Sequence, residues 1–330
     1  MTVAVGVIGA GVMGAHHAAL LRDGVGGARL MAVCDADPAR AEAAAGGART
    51  VTDPLALIAD PDVEAVVVAS PDATHAELAL ACLAAKKPLL LEKPLAATAA
   101  EGLRVVEAEA AGGRRLIQLG YMRRFDGAYL AMRAALDAGE VGEPVLLHNV
   151  HRNRSAPAWF TGAMPITNSF VHEIDASRWL LGREMVAARV QGAPGGDPLL
   201  ISMEAEGGVL VSTELFLNAG YGYHVHAELV GREGTVAMAP PALALLNRGG
   251  RGGLAYPELW LPRFAQAYRD QMEAWLRSIV TGRPVGASAW DGFIATAVAE
   301  QVAVALGGEE VRLALPGRPG SLRTGTQQTA

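Results

Sequence analysis

Several things are scarce in this chain, and each scarcity excludes something. There are only two cysteines, Cys34 and Cys82. Both lie in apolar segments, so they read as small core residues in a reducing compartment rather than as a disulfide framework. No basic run occurs and the formal net charge is −6. That argues against nucleic acid or a membrane surface as a partner. The first residues follow no signal-peptide order, and no apolar run reaches membrane-spanning length, so a cytoplasmic protein is expected. The histidines show no H-E-x-x-H spacing, and the one H-x-H is His224-Val225-His226. His16 and His17 are adjacent on a helical stretch and diverge, and His224 and His226 have no carboxylate or cysteine pattern beside them, so no metal site is expected. What is plentiful is apolar: 51% of the 330 residues are hydrophobic, enough for a large core and, at this length, for two domains.

The most informative segment is the first one. Val3–Ile8 reads as a buried strand, and Gly9-Ala10-Gly11-Val12-Met13-Gly14 follows at once. A second apolar run, Leu30–Cys34, ends on Asp35. Strand, G-x-G-x-x-G, helical pattern and a later acid together form a dinucleotide fingerprint. Gly9 allows the tight turn, Gly11 a close backbone approach to a pyrophosphate, and Gly14 the packing of helix on strand. The pyrophosphate would rest on N–H groups at the helix N-terminus. Asp35 would accept hydrogen bonds from the adenosine ribose and repel a 2′-phosphate. NAD is therefore expected ahead of NADP, with Arg40 the residue that keeps NADP open.

The first 121 residues alternate strand and helix patterns, as a parallel sheet requires. Strands are expected at Val51–Thr52, Ala65–Ala69, Leu89–Glu92 and Leu116–Gly120. Helices are expected at Pro38–Ala45, His75–Ala85 and Ala99–Ala111, with Asp53 capping a short one. After Tyr121 the rhythm changes. Helices at Asp126–Ala138 and Asn168–Leu181 precede strands at Val186–Gln191, Leu199–Ala205, Val209–Phe216, Tyr223–Val230 and Thr235–Ala239. Consecutive strands imply an antiparallel sheet. Helices at Pro262–Val280 and Ala289–Leu306 follow, and 317–330 reads as a frayed tail. The expected fold is thus α/β: a Rossmann domain over 1–121, then an α+β domain with an open, mainly antiparallel sheet over 122–316. Both faces of that sheet carry apolar residues, which suggests a homo-oligomer, dimer or tetramer, built through it. Helices covering both faces are the alternative.

Four segments together carry a resemblance. They are the glycine start, Glu92-Lys93-Pro94 at a strand end, Gly120-Tyr121-Met122-Arg123-Arg124-Phe125 after the last strand, and His172-Glu173-Ile174-Asp175 on a later helix. With these the chain resembles the Gfo/Idh/MocA oxidoreductases over nearly its whole length. Within that family its nearest likeness is to the inositol 2-dehydrogenase branch. The resemblance implies oxidation of a secondary alcohol on a small polyhydroxylated ring by hydride transfer to NAD. Lys93 would hydrogen-bond the reacting hydroxyl and stabilise oxyanion character. His172 would be the general base. Asn168, His172 and Asp175 would share one helix face. Asn168 departs from the family, whose inositol dehydrogenases usually carry Asp there. Asn keeps the shape but holds no charge, which would lower the pKa of His172 if the two touch.

Around these residues the resemblance assigns further contacts. Ser70, Pro71, Thr74, His75, Glu92 and Arg123 would join Gly9, Gly11, Val12, Met13, Gly14, Asp35 and Lys93 in holding the cofactor, with a capping or packing role the alternative for His75. Arg123, His151, Asn153, Asp175 and Tyr223 (or Tyr221) would grip substrate hydroxyls, while Arg124 reads as structural. Two other readings stand beside the cyclitol dehydrogenase. One is a sugar, amino-sugar or amino-cyclitol oxidoreductase of secondary metabolism. The other is an NAD-binding regulator without turnover.

Overall fold

The structure is a computed structural model that describes residues 2–239, 245–248 and 251–319. It divides into two compact units. Unit 1 comprises 1–121, 268–297 and 316–330; unit 2 comprises 122–267 and 298–315. The contiguous division at 122–316 is thereby corrected: the chain returns to unit 1 for helical segment 268–297. Residues 320–330, most of the expected tail, lie outside the described residues.

Unit 1 holds six strands. They are β1 (Val3–Ile8), β2 (Ala28–Cys34), β3 (Arg49–Val51), β4 (Ala65–Val68), β5 (Leu89–Leu91) and β6 (Ile117–Leu119). All pair in parallel in the order β3-β2-β1-β4-β5-β6. This is the doubly wound order, whose crossover reverses beside β1. Helices α1 (Val12–Ala19), α2 (Pro38–Ala45), α3 (Pro54–Ala59), α4 (His75–Ala84) and α5 (Ala99–Ala111) make the crossovers. Their starts obey local rules. Asp37 and Asp53 each accept a backbone N–H two residues on, with Pro at the first helical position. Thr98 and Glu101 form a capping box on α5. Every residue of β1, β4 and β5 is buried, as strands covered on both faces require. Val5, Val7, Val33, Val67 and Leu90 form the centre of this core, closed by Met272 and Trp275.

Unit 2 contains α6 (Gly127–Asp137), β7 (Pro144–Arg152), α7 (Val171–Leu181), β8 (Met185–Gly192), β9 (Leu199–Ala205), β10 (Val209–Phe216), β11 (His224–Gly231) and β12 (Thr235–Ala237). A hairpin of β13 (Leu245–Arg248) and β14 (Arg251–Leu254) and the short helix α8 (Trp260–Arg263) follow. Helices α9 (Ala265–Thr281) and α10 (Ala289–Val304) each run from one unit into the other, and β15 (Glu310–Arg312) closes the sheet. The seven-stranded sheet has the order β12-β11-β7-β10-β9-β8-β15. It is mixed: β7 and β10 pair in parallel, the rest antiparallel. The parallel pair arises because β7 is separated from β10 by α7 and a two-strand meander, so it joins between β10 and β11 rather than in sequence order.

The sheet has one sealed face. Val209, Val211, Thr213 and Leu215 are buried, whereas Leu210 on the other side is 56% exposed. The sealed side packs on α7, whose Val171, Ile174 and Leu180 are fully buried. Each such side chain contributes about 1.5–3 kcal/mol. One further correction concerns apolar runs. Ala289–Gly307 is long and apolar enough to cross a membrane by length and composition, yet 67% of that window is buried in the fold.

Candidate active site

In unit 1 the glycine turn leaves β1 at the carboxyl end of the sheet. Gly9 has φ +91°, and a Cβ there would lie 2.5 Å from the Ala69 carbonyl oxygen at the end of β4. At Gly14 a Cβ would lie 1.7 Å from the Gly9 carbonyl oxygen. These two glycines are therefore required by the turn itself. Gly11 is different: a Cβ there would meet nothing within 4 Å. The backbone of α1 opens on free space, without a side-chain cap, and Val12 is 63% exposed. An uncapped helix start with an open glycine in front of it fits a dinucleotide pyrophosphate.

Asp35 stands beside this turn. Its Oδ2 accepts the Ala10 N–H at 2.7 Å and its Oδ1 the Asp37 N–H at 2.9 Å. The carboxylate so braces the glycine turn while keeping an anionic edge. Arg40 is 3.7 Å from Asp35 and 3.2 Å from Asp37. It is paired with two acids, so it is poorly placed to serve a 2′-phosphate. Past β4, the Ser70 and Thr74 hydroxyls bond at 2.6 Å, and Thr74 donates to the Pro71 carbonyl.

Two residues assigned to the cofactor turn inward. His75 is buried, with Nδ1 2.6 Å from the Pro94 carbonyl oxygen and Nε2 2.9 Å from that of Ser70. Glu92 is bound through Oε1 to His17 Nε2 at 2.8 Å. Lys93, directly after Glu92, precedes a cis proline. His17 was missed by sequence reasoning; its only signal is its place one turn after Gly14, on the sheet-facing side of α1.

In unit 2 the expected single helix 168–181 is two pieces. Pro165–Phe170 forms a π-helical turn, and α7 begins at Val171. Asn168 therefore lies in the π-helical turn, while His172 and Asp175 stay three apart on α7. Asn168 and His172 are half-buried, while Asp175 is buried and held bidentately by Arg124 at 2.6 and 3.0 Å. Asp175, expected to accept from a ring hydroxyl, is thus engaged by Arg124, the arginine read as structural.

Arg123, His151 and Tyr223, also expected on substrate hydroxyls, come together in unit 2. All three are buried around Glu173, which is 0% exposed. Glu173 pairs with Arg123 and lies 2.9 Å from His151 Nδ1. Arg123 also donates to the Tyr129 hydroxyl at 3.3 Å. Tyr223 stacks edge-on against His151 at 5.9 Å and Phe264 at 6.1 Å. Burial opposes ionisation of Glu173, but the Arg123 guanidinium and the His151 ring outweigh it and hold its carboxyl below the usual range. Burial pushes the Tyr223 phenol well up and Tyr129 up to about 12. Glu173, Tyr129 and the Arg263–Asp126 pair (2.6 and 3.0 Å) were not singled out from sequence. Asn153 follows β7; its Oδ1 is buried and has no hydrogen-bond partner among the described residues.

Comparison with known proteins adds the family. Residues 3–121 match the family model described as an oxidoreductase family with an NAD-binding Rossmann fold, and residues 129–237 match the GFO/IDH/MocA C-terminal domain. The chain is 53% identical over 312 residues to inositol 2-dehydrogenase 1 of Saccharopolyspora erythraea, covering 91% of this chain and 93% of that one. It is 44% identical over 327 residues to inositol 2-dehydrogenase of Acidothermus cellulolyticus, with 96% of each covered. The crystal structure of myo-inositol dehydrogenase from Lactobacillus casei in complex with NAD(H) and myo-inositol superposes with a TM-score of 0.90 at 32% identity, covering 97% and 99% of the two chains. By its glycine turn, its two family domains and these relatives, the chain belongs to the Gfo/Idh/MocA family of oxidoreductases.

Proposed function

We propose that the protein is an NAD-dependent dehydrogenase that oxidises a ring hydroxyl of a cyclitol, an inositol first among them. The observation that carries this reading is the 53% identity, over 91% of the chain, to a relative named inositol 2-dehydrogenase 1. The open glycine turn supports it from the geometry.

Gly9, Gly11, Val12, Met13 and Gly14 would hold the pyrophosphate on backbone N–H groups, with Asp35 on the ribose. NAD, when bound, supplies the hydride acceptor. The residues of the chain do the rest. Lys93, at the carboxyl end of β5, donates to the reacting hydroxyl and stabilises the oxygen as negative charge grows on it. His172 takes the hydroxyl proton on its imidazole, a base suited to neutral pH. Asn168, half-buried and four residues before it, offers an amide to a neighbouring hydroxyl. Asn153 offers a buried carbonyl oxygen. Such groups penalise a ring that lacks the matching hydroxyl, because they would be left unpaired. Arg123, His151, Glu173 and Asp175 hold α7 in place behind them.

We further propose self-association through the half-exposed sheet face. Leu200 is 49% and Leu210 56% exposed on that side, in register with Glu214 and Glu204 across the β9–β10 ladder. Light scattering on a sizing column reads the mass directly.

The test of function is the absorbance of reduced cofactor, with NAD and separately NADP, over myo-, scyllo- and chiro-inositol, amino-cyclitols and glucose. NAD reduction with an inositol is the expected result. Turnover of glucose alone would establish the sugar reading. Tight NAD binding without any turnover would establish the regulator.

A further inference from the structure

Lys93 sits between two residues that are each gripped by a buried histidine. All of the groups involved belong to unit 1. From α1, His17 reaches Glu92 through Nε2 at 2.8 Å. From the first residue of α4, His75 reaches the Pro94 carbonyl at 2.6 Å and the Ser70 carbonyl at 2.9 Å. Both histidines are 1% exposed. The second oxygen of Glu92 lies 3.4 Å from the Lys93 amide nitrogen, which donates to it. The backbone on both sides of Lys93 is therefore tied by side chains, one from the helix behind the glycine turn and one from the segment after β4.

A polar ring at 1% exposure is costly unless its nitrogens are satisfied. Here His17 sets its Nε2 on Glu92, its Nδ1 having no partner among the described residues, and His75 sets its Nδ1 on the Pro94 carbonyl, so both rings bond into one three-residue turn. A histidine kept only to fill space would have no reason to aim there. A lysine carries a flexible four-carbon stem, so holding its backbone narrows where its ammonium can sit. His17 lies on the helix whose first turn faces the proposed pyrophosphate, and His75 also contacts Ser70, a residue expected on the nucleotide side. The contacts thus run from nucleotide-facing backbone to the turn that carries Lys93.

We infer that His17 and His75 are positioning residues: a clamp that fixes the Glu92-Lys93-Pro94 turn and couples it to nucleotide bound at Gly9–Gly14. The inference rests on the reading of that turn as the NAD site and of Lys93 as the group that orients the hydroxyl.

Hydrogen–deuterium exchange over residues 89–96, with and without NAD, tests it without requiring turnover. Wild type is compared with His17→Leu, His17→Gln and His75→Leu, alongside the rate of NAD reduction by myo-inositol. In wild type, NAD slows exchange around Lys93 by about threefold or more. The two leucine variants bind NAD within about threefold of wild type but lose that slowing, and their maximal rate falls about ten- to hundredfold. Their KM for myo-inositol moves by less than about threefold, as expected when a group is misaligned rather than a ligand released. His17→Gln, which keeps an N–H toward Glu92, restores the slowing and most of the rate. Slowing retained in both leucine variants, or no effect of NAD on the wild-type turn, overturns the inference. So does a rate loss matched by an equal loss of NAD affinity. Should the leucine variants fail to fold, Glu92→Gln replaces them: loss of the slowing supports the clamp, wild-type slowing overturns it. A wild type that binds NAD and oxidises no cyclitol overturns the dehydrogenase reading, and the exchange result still decides the clamp.

Discussion

The glycine turn of unit 1 and the polar start of α7 in unit 2 are built on opposite plans. The turn offers backbone: Gly11 opens on free space and α1 starts uncapped. The α7 region offers side chains, and most of them are already engaged. Glu173 and Asp175 pair with Arg123 and Arg124, and Asn168 and His172 are half-buried. A site made of backbone declares itself through spacing, because only glycine at fixed intervals allows it. A site made of side chains hides in its own framework, because the residues that face a ligand and those that face each other are the same types.

The contrast can be broken most forcefully at Lys93. Lys93→Met leaves the turn intact and removes the ammonium, so the maximal rate falls by about 10²–10⁴-fold while NAD affinity holds, as stopped-flow and titration would show. On the framework side, Glu173→Ala strands a buried guanidinium. That costs about 3–5 kcal/mol in denaturant unfolding, whereas Glu173→Gln should cost less by keeping an acceptor. The two glycine roles separate next. Gly11→Val should keep wild-type thermal stability and lose NAD binding by about tenfold or more. Gly14→Val should lose about 1–3 kcal/mol of stability or more, because its Cβ would collide with the Gly9 carbonyl.

The framework also fixes an acid limit. Glu173 has a depressed carboxyl in the folded protein, with an ordinary value of 4.5. Its stabilisation is present above that value and is lost as pH falls through its folded pKa. Glu214, lowered by its hydrogen bonds to Arg152, acts in the same direction. Unfolding free energy should therefore decline below about pH 4.5, and Glu173→Gln should flatten the decline. The smallest effect is at the thiols. Burial pushes Cys34 up to about 11 and Cys82 up to about 12, so a thiol reagent near neutral pH should label the folded protein only after denaturation.

Most of unit 1 is legible in the sequence, because a parallel sheet covered on both faces leaves unbroken apolar strands with helices between them. Asp53 as a cap and the paired glycines follow from local chemistry. The mixed character of the second sheet was not legible: β7 inserts between β10 and β11 by long-range pairing, which no local pattern encodes. The return of residues 268–297 to unit 1 was hidden for the same reason. At the site, helical spacing placed Asn168, His172 and Asp175 on one face. The π-helical turn over Pro165–Phe170, which takes in Asn168, and the bidentate hold of Arg124 on Asp175 carry no local sequence signal. His17 reads only as a helix residue diverging from His16, and His75 as a cofactor, capping or packing residue, until their partners at Glu92 and Pro94 are seen.

The most direct test of the account is NAD reduction by myo-inositol at neutral pH, measured for wild type and His172→Ala in the same run with thermal stability followed in parallel. The account predicts turnover by wild type and a loss of about 10²–10⁴-fold in the variant at unchanged stability. A wild type inert toward every cyclitol, or a variant as fast as wild type, would contradict it.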